Sequence, residues 1–115
     1  MRANTLMHEL GITQEIVEIA CGHAAGGRIK RIVLEIGKLS AVLPDAVRFC
    51  FDLCAEGTAA ADAVLEINEL PGRARCRSCG GLVNLDRPYG LCSCGSSDLE
   101  WLSGDELKIK EMEVA

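Results

Sequence analysis

Cys76-Arg77-Ser78-Cys79-Gly80 and Cys92-Ser93-Cys94-Gly95 decide how this chain is read. They place four of the seven cysteines in two tight pairs, spaced C-x-x-C and C-x-C, with twelve residues between Cys79 and Cys92. Structural zinc takes four thiolate or imidazole ligands tetrahedrally, and two such pairs reach that geometry without a helix or a large core. Gly80 and Gly95 suit the turns beneath a metal, because glycine accepts positive φ. Cys76, Cys79, Cys92 and Cys94 are therefore the expected zinc ligands. Cys92-Ser93-Cys94 is a residue shorter than the usual second knuckle, so its sulfurs must converge from a tighter bend. The competing readings are a pair of disulfides and a redox dithiol, although Gly80-Gly81 breaks the helix that a thioredoxin-like C-x-x-C would open.

A chain of 115 residues makes one domain with room for a metal-held appendage. The net charge of −5 disfavours a general nucleic-acid binder, and four thiolates on one dication make the balance more negative still. Phe49, Phe51, Tyr89 and Trp101 are too scattered for a base-stacking platform. No apolar run approaches the roughly 20 residues of a membrane span, and Met1 to Met7 lack an apolar signal region. A cytoplasmic protein follows as the expectation, where reduced thiols favour metal ligation and burial over disulfides.

On either side of the knuckles the hydrophobic period alternates between helix and strand. Leu6, Leu10, Ile16, Val17, Ala20 and Ala24 recur at helical steps and Gly26-Gly27 ends the run, which predicts an amphipathic helix. Arg28 to Gly37 then alternates, with Ile32, Leu34 and Ile36 on the face to be buried. Pro44 opens a second helix with Asp45 in its first turn, and Val47, Cys50, Phe51 and Cys54 form its stripe as far as Glu56. Ala63 to Leu70 reads as a second strand, stopped by Pro71-Gly72. Asp105 to Val114 reads as a third, whose phase slips near Glu111 in the manner of a bulge or a strand end leaving the sheet. The expected fold is α+β: two helices packed on a three-stranded sheet, with a four-cysteine zinc-ribbon-like module inserted before the last strand.

Elsewhere the bland reading carries most residues. His23 lies in the last helical turn, where a cation suits exposed carbonyls. Cys21, Cys50 and Cys54 read as core thiols, since nothing nearby would lower their pKa. Asp105-Glu106 and Glu66-Glu69 fall on turns or solvent-facing positions, and no catalytic triad or phosphate loop is present, so no enzymatic activity is expected. His8 stands apart through its neighbours. A chain beginning Met-His-Glu can offer nickel or copper its α-amine, the histidine backbone nitrogen and the imidazole Nδ1. Here Met1 to Leu6 precede Met7, so that amine is used up in an amide.

Met7-His8-Glu9, the helix after it, Pro44 to Gly57 with Phe49-Cys50-Phe51, and the knuckles followed by Gly104-Asp105-Glu106-Leu107 together resemble the HypA/HybF family of nickel-insertion proteins. The resemblance runs in order from Met7 to the C-terminus. It implies a nickel metallochaperone for maturation of nickel–iron hydrogenase. Residues 1–72 plus 104–115 would be the nickel-binding α+β domain and residues 73–103 the zinc-binding domain. His8 would be the essential nickel ligand, with Met7 giving amine and backbone contacts and Glu9 acting beside them. Ni(II) would be transient cargo, and Zn(II) a structural ion on the four cysteines. The implied partners are the HypB-type maturation GTPase and the hydrogenase large subunit, with no nucleic acid and no membrane. A homodimer is left open, and so is the native start, Met1 or Met7.

Two other classes remain in view. A zinc-ribbon module for protein or nucleic-acid interaction, without nickel transfer, would use Arg28, Lys30 and Arg31 or Arg73, Arg75 and Arg77. A thiol redox protein would use Cys76 and Cys79.

Overall fold

The computed structural model describes the backbone of residues 2–115 and the side chains of residues 8–115. In chain order the elements are α1 (Arg2–Ala24), β1 (Ile29–Gly37), α2 (Pro44–Ala55), β2 (Val64–Leu70), β3 (Gly72–Cys76), β4 (Leu82–Leu85), β5 (Leu99–Ser103) and β6 (Leu107–Val114). Two three-stranded sheets result, ordered β2-β1-β6 and β4-β3-β5. β1 lies between the strand that precedes the cysteine segment and the strand that follows it, so that segment is an insertion, as its pattern predicts.

Two compact units divide the chain, one of residues 1–34, 42–68 and 109–115, the other of residues 35–41 and 69–108. In the first, the amphipathic stripes meet: α1 buries Ile16, Val17, Ala20 and Ala24, while α2 buries Val47, Cys50, Phe51 and Ala55. Pro44 opens α2, Asp45 stands in its first turn, and Gly57 follows it with φ 76°. Leu6 lies outside the described side chains, and Leu10 is half-buried. The middle strand carries the core. Ile32, Leu34 and Ile36 are buried on one face of the strand, and Ile29 and Val33 on the other. Alternation alone places Val33 outside; it is buried because β1 has a neighbour on each edge and charged side chains reach across its face. β6 runs unbroken through the change of phase, with Ile109 and Met112 as its half-buried residues.

The second unit holds a sheet of short strands, the middle one rich in arginine, that sequence reading does not reveal. Gly72, Ala74 and Cys76 face inward on β3, while Arg73 and Arg75 face out. Ala74 pairs with Val83 on β4 and Trp101 on β5, and Cys76 pairs with Leu99. A small core of Leu39, Ala74 and Leu85, with Val83 and Leu99 against it, fills the inner face. This core delivers Cys76 to the four-cysteine cluster from the end of a paired strand rather than from a loop.

Candidate metal centre

The two knuckles are one turn built at two lengths. Cys76 N–H donates to Gly81 O at 2.8 Å, and Gly80 N–H returns a bond to Cys76 O at 2.8 Å. Cys92 N–H donates to Ser96 O at 2.9 Å, and Gly95 N–H returns to Cys92 O at 2.8 Å. The C-x-C knuckle therefore keeps the bonding of the longer one and closes it a residue earlier. Gly80 and Gly95 take φ 77° and 93°, the left-handed conformation their positions predict. Gly81 N–H approaches Cys79 Sγ at 3.4 Å.

The four sulfurs converge. Sγ atoms of Cys76, Cys79, Cys92 and Cys94 lie within 4.8 Å of one another, and Cys76–Cys94 and Cys79–Cys92 are each 3.6 Å apart. A tetrahedron with metal–sulfur bonds of about 2.3 Å has edges of about 3.8 Å, so the spacing fits a metal site of four thiolates. It is far from the roughly 2.05 Å of a disulfide bond. All seven cysteines are unbridged. Cys76 and Cys92 are buried and Cys79 and Cys94 exposed, so one edge of the cluster faces solvent.

The local field prepares these thiols to be ligands. The Cys79 backbone N–H, opposed by desolvation and helped by Ser78 N–H, holds the Cys76 thiol down at about 6. The Cys94 backbone N–H lowers Cys92 in the same way. At Cys94 the Ser96 backbone N–H pulls downward, but Cys76 and Cys92 together outweigh it and push the thiol up to about 11. Four thiolates this close cannot all ionise without a cation among them.

At the other end of the sequence pattern, His8 and Glu9 are adjacent but live in opposite environments. The His8 side chain is 61% exposed and Glu9 is fully buried. One Glu9 carboxylate oxygen, Oε2, accepts the Leu43 N–H at 2.7 Å, directly before α2, where a negative charge suits the helix dipole. The other, Oε1, accepts no hydrogen bond among the described residues and lies 3.8 Å from His8 Nδ1. The Met7 side chain lies outside the described residues. The burial of Glu9 is the feature that sequence reading missed; the one available signal was its place four residues before Thr13, on the stripe that continues to Ile16 and Ala20. Thr13 Oγ donates to Glu9 O at 2.6 Å.

The remaining candidates behave as packing or surface. Cys50 is buried and Cys54 half-buried, and burial raises both thiols. His23 is exposed in the last turn of α1. Arg28 pairs with Asp62 at 2.7 Å, Arg77 with Asp98 at 2.9 Å, and Arg75 donates to Gly80 O at 3.3 Å. Arg31 binds Glu66, Glu111 and Glu113. Most of the basic residues are thus spent on internal bonds. No helix among the described residues is long and apolar enough to cross a membrane.

An α+β body with a two-knuckle, four-cysteine centre inserted ahead of its last strand defines a small metal-binding protein. The chain belongs to the HypA family: the family model for hydrogenase/urease nickel incorporation metallochaperones matches residues 7–114. Hydrogenase maturation factor HypA of Nostoc punctiforme is 58% identical over 108 residues, covering 94% of this chain and 96% of the relative. The factor of the same name from Geobacter sulfurreducens is 45% identical over 109 residues, covering 94% of this chain and 99% of the relative. The fold is shared with the solution structure of the nickel metallochaperone HypA from Helicobacter pylori, at a TM-score of 0.65 and 23% identity over 92% of this chain and 96% of that one.

Proposed function

We propose that this protein binds Ni(II) near its N-terminus and delivers it to the large subunit of a nickel–iron hydrogenase, while Zn(II) on Cys76, Cys79, Cys92 and Cys94 holds the inserted module together. The division of labour rests on the contrast between two sites. A closed set of four thiolates retains its ion, and few ligands on an exposed helix release theirs. The observation that carries the nickel reading is the exposure of His8, within the Met7-His8-Glu9 stretch at which the family match begins. Met7 and Glu9 act beside it. Residues 1–72 plus 104–115 would serve nickel and residues 73–103 zinc. The partners would be a HypB-type GTPase and the hydrogenase large subunit, in the cytoplasm, with a homodimer an open arrangement.

The chemistry of the site depends on which residues precede it. α1 is continuous from Arg2 to Ala24, so the His8 amide belongs to a helix and its N–H is committed to the helical ladder. In this chain nickel is then held by the imidazole, whereas a chain starting at Met7 could close the amine, amide and imidazole chelate. The test is a nickel titration of three zinc-loaded proteins: the full chain, a chain starting at Met7, and the full chain with His8→Ala. One nickel bound by the first two and lost in the third is expected. Equal binding by all three would withdraw nickel from His8.

A further inference from the structure

α2 buries one face and leaves the other with a composition that water alone does not suit. Val47, Cys50, Phe51 and Ala55 are buried, while Phe49 is 63% exposed and Leu53 60%. Four residues apart, these two lie one helical turn from each other and form a single apolar ridge. Asp45 stands a turn before Phe49, Asp52 three residues after it and Glu56 three residues after Leu53, and all three are exposed. A contiguous apolar patch rimmed by polar groups marks an interaction site, whereas single exposed hydrophobic residues do not.

The rim is electrically one-sided. Arg48 is the one cation on the helix, and it pairs with Asp45 at 3.3 Å near the N-terminal end. Asp52 and Glu56 stand four residues apart at the other end, where the helix dipole is negative, and no basic residue occupies that last turn. Like charges at this spacing repel, and a cation is what the end of a helix favours. Its Ala55 carbonyl is met by the Thr58 N–H and hydroxyl, which are neutral groups and leave the charge uncompensated.

Charge decides what covers the ridge. A second copy would set three carboxylates and one guanidinium against the same set, and nucleic acid or an anionic lipid surface would be repelled in the same way. We propose that the exposed face of α2 is a docking surface for a basic amphipathic segment of another protein. Apolar side chains of that segment pack on Phe49 and Leu53, while its lysines or arginines pair with Asp52 and Glu56 and complete the C-terminal end of α2. Two anchors on a helix of 12 residues make a small interface, of the size that forms and breaks readily. Docking here does not depend on how His8 holds nickel.

The test is an amide proton–nitrogen NMR titration of the zinc-loaded full chain with a synthetic peptide of leucines at helical spacing and lysines between them, and with the same peptide carrying glutamates for the lysines. The lysine peptide should shift the amides around Phe49, Leu53 and Glu56, and the glutamate peptide should not. Both anchors are exposed, so Phe49→Ser with Leu53→Ser should leave the rest of the spectrum in place and weaken binding at least about tenfold. Asp52→Asn with Glu56→Gln should weaken it too and flatten its dependence on salt, with the apolar anchors intact. Equal binding of the two peptides overturns the proposal. So does the absence of any shift on α2 at about 1 mM lysine peptide, or binding unchanged in the serine double variant. Shifts on α2 that grow with protein concentration alone would mean that a second copy covers the ridge, and would overturn the basic partner.

Discussion

Gly37 and Gly104 pass one another so closely that a β-carbon on Gly37 would collide with the Gly104 carbonyl. That carbonyl accepts the Leu39 N–H at 2.7 Å, and the Gly37 N–H donates to Glu106 O at 2.7 Å, so neither backbone can retreat. Gly104 also takes φ 108°, and a β-carbon there would meet the backbone of Pro71 and Gly72. Gly37→Ala and Gly104→Ala should each lower the unfolding free energy of the zinc-loaded protein by about 2–3 kcal/mol in denaturant titrations. Gly11→Ala is the control, since nothing lies within 4 Å of its β-carbon and alanine favours a helix. A Gly37→Ala protein as stable as the control would mean the two segments can move apart.

Cys50 and Cys54 are a helical turn apart on α2, but their surroundings make them poor nucleophiles. Burial raises the Cys50 thiol first and the Glu9 charge adds to it; burial and then Cys50 raise Cys54. A raised thiol pKa leaves less thiolate at neutral pH, and every tenfold loss of acidity removes about nine tenths of the reactive form. In the zinc-loaded protein the buried Cys50 should therefore label more slowly than an unhindered thiol at neutral pH, and faster as the solution is made alkaline. Rapid labelling of Cys50 at neutral pH would place it in a reactive site instead.

Arg31 joins the edges of the first sheet. From the middle strand its guanidinium reaches Glu66 on β2 at 2.9 Å, and Glu111 and Glu113 on β6 at 3.4 and 2.8 Å. Its pKa is raised, chiefly by the bond to Glu113. Replacing it with leucine leaves three carboxylates facing one another without a cation. Arg31→Leu should lower the thermal midpoint, most at low ionic strength, and added salt should recover part of the loss by screening the repulsion. Indifference to salt would show that the arginine acts only through its packing.

The helices, three of the six strands and the cysteine cluster are legible in the sequence because each has a pattern with a physical cause. Helical and two-residue periods mark faces that must be buried, and C-x-x-C with C-x-C marks ligands that must converge. β3 is hidden because Gly72-Arg73-Ala74-Arg75 has no β-branched residue and is held by pairing and by Leu39 arriving from elsewhere in the chain, while β4 and β5, four and five residues long, are too short to show a clear period. Val33 defeats the pattern because alternation records the faces of a strand but not how many neighbours it has. Glu9 cannot be placed from sequence because its burial depends on Leu43 N–H, presented ahead of α2, a contact across thirty-four positions.

Zinc retention should depend on pH in a direction set by the thiols. Protons compete with the metal, and Cys94, at about 11, is protonated at neutral pH in the metal-free cluster, so binding must expel its proton. Cys76, held at about 6, enters as a thiolate above that pH and becomes a second competitor below it. Affinity measured against a competing chelator should fall as pH falls, with a steeper slope below about 6 than above it. A slope that does not change on crossing that value would mean that Cys76 is not pre-ionised by the Cys79 N–H. The same experiment tests the ligand set. Structural zinc contributes about 10–16 kcal/mol through four ligands, so changing any one of Cys76, Cys79, Cys92 or Cys94 to serine should weaken binding by about two orders of magnitude. If Cys94→Ser alone kept full affinity, the shortened knuckle would supply one sulfur and the site would be three-coordinate from the protein.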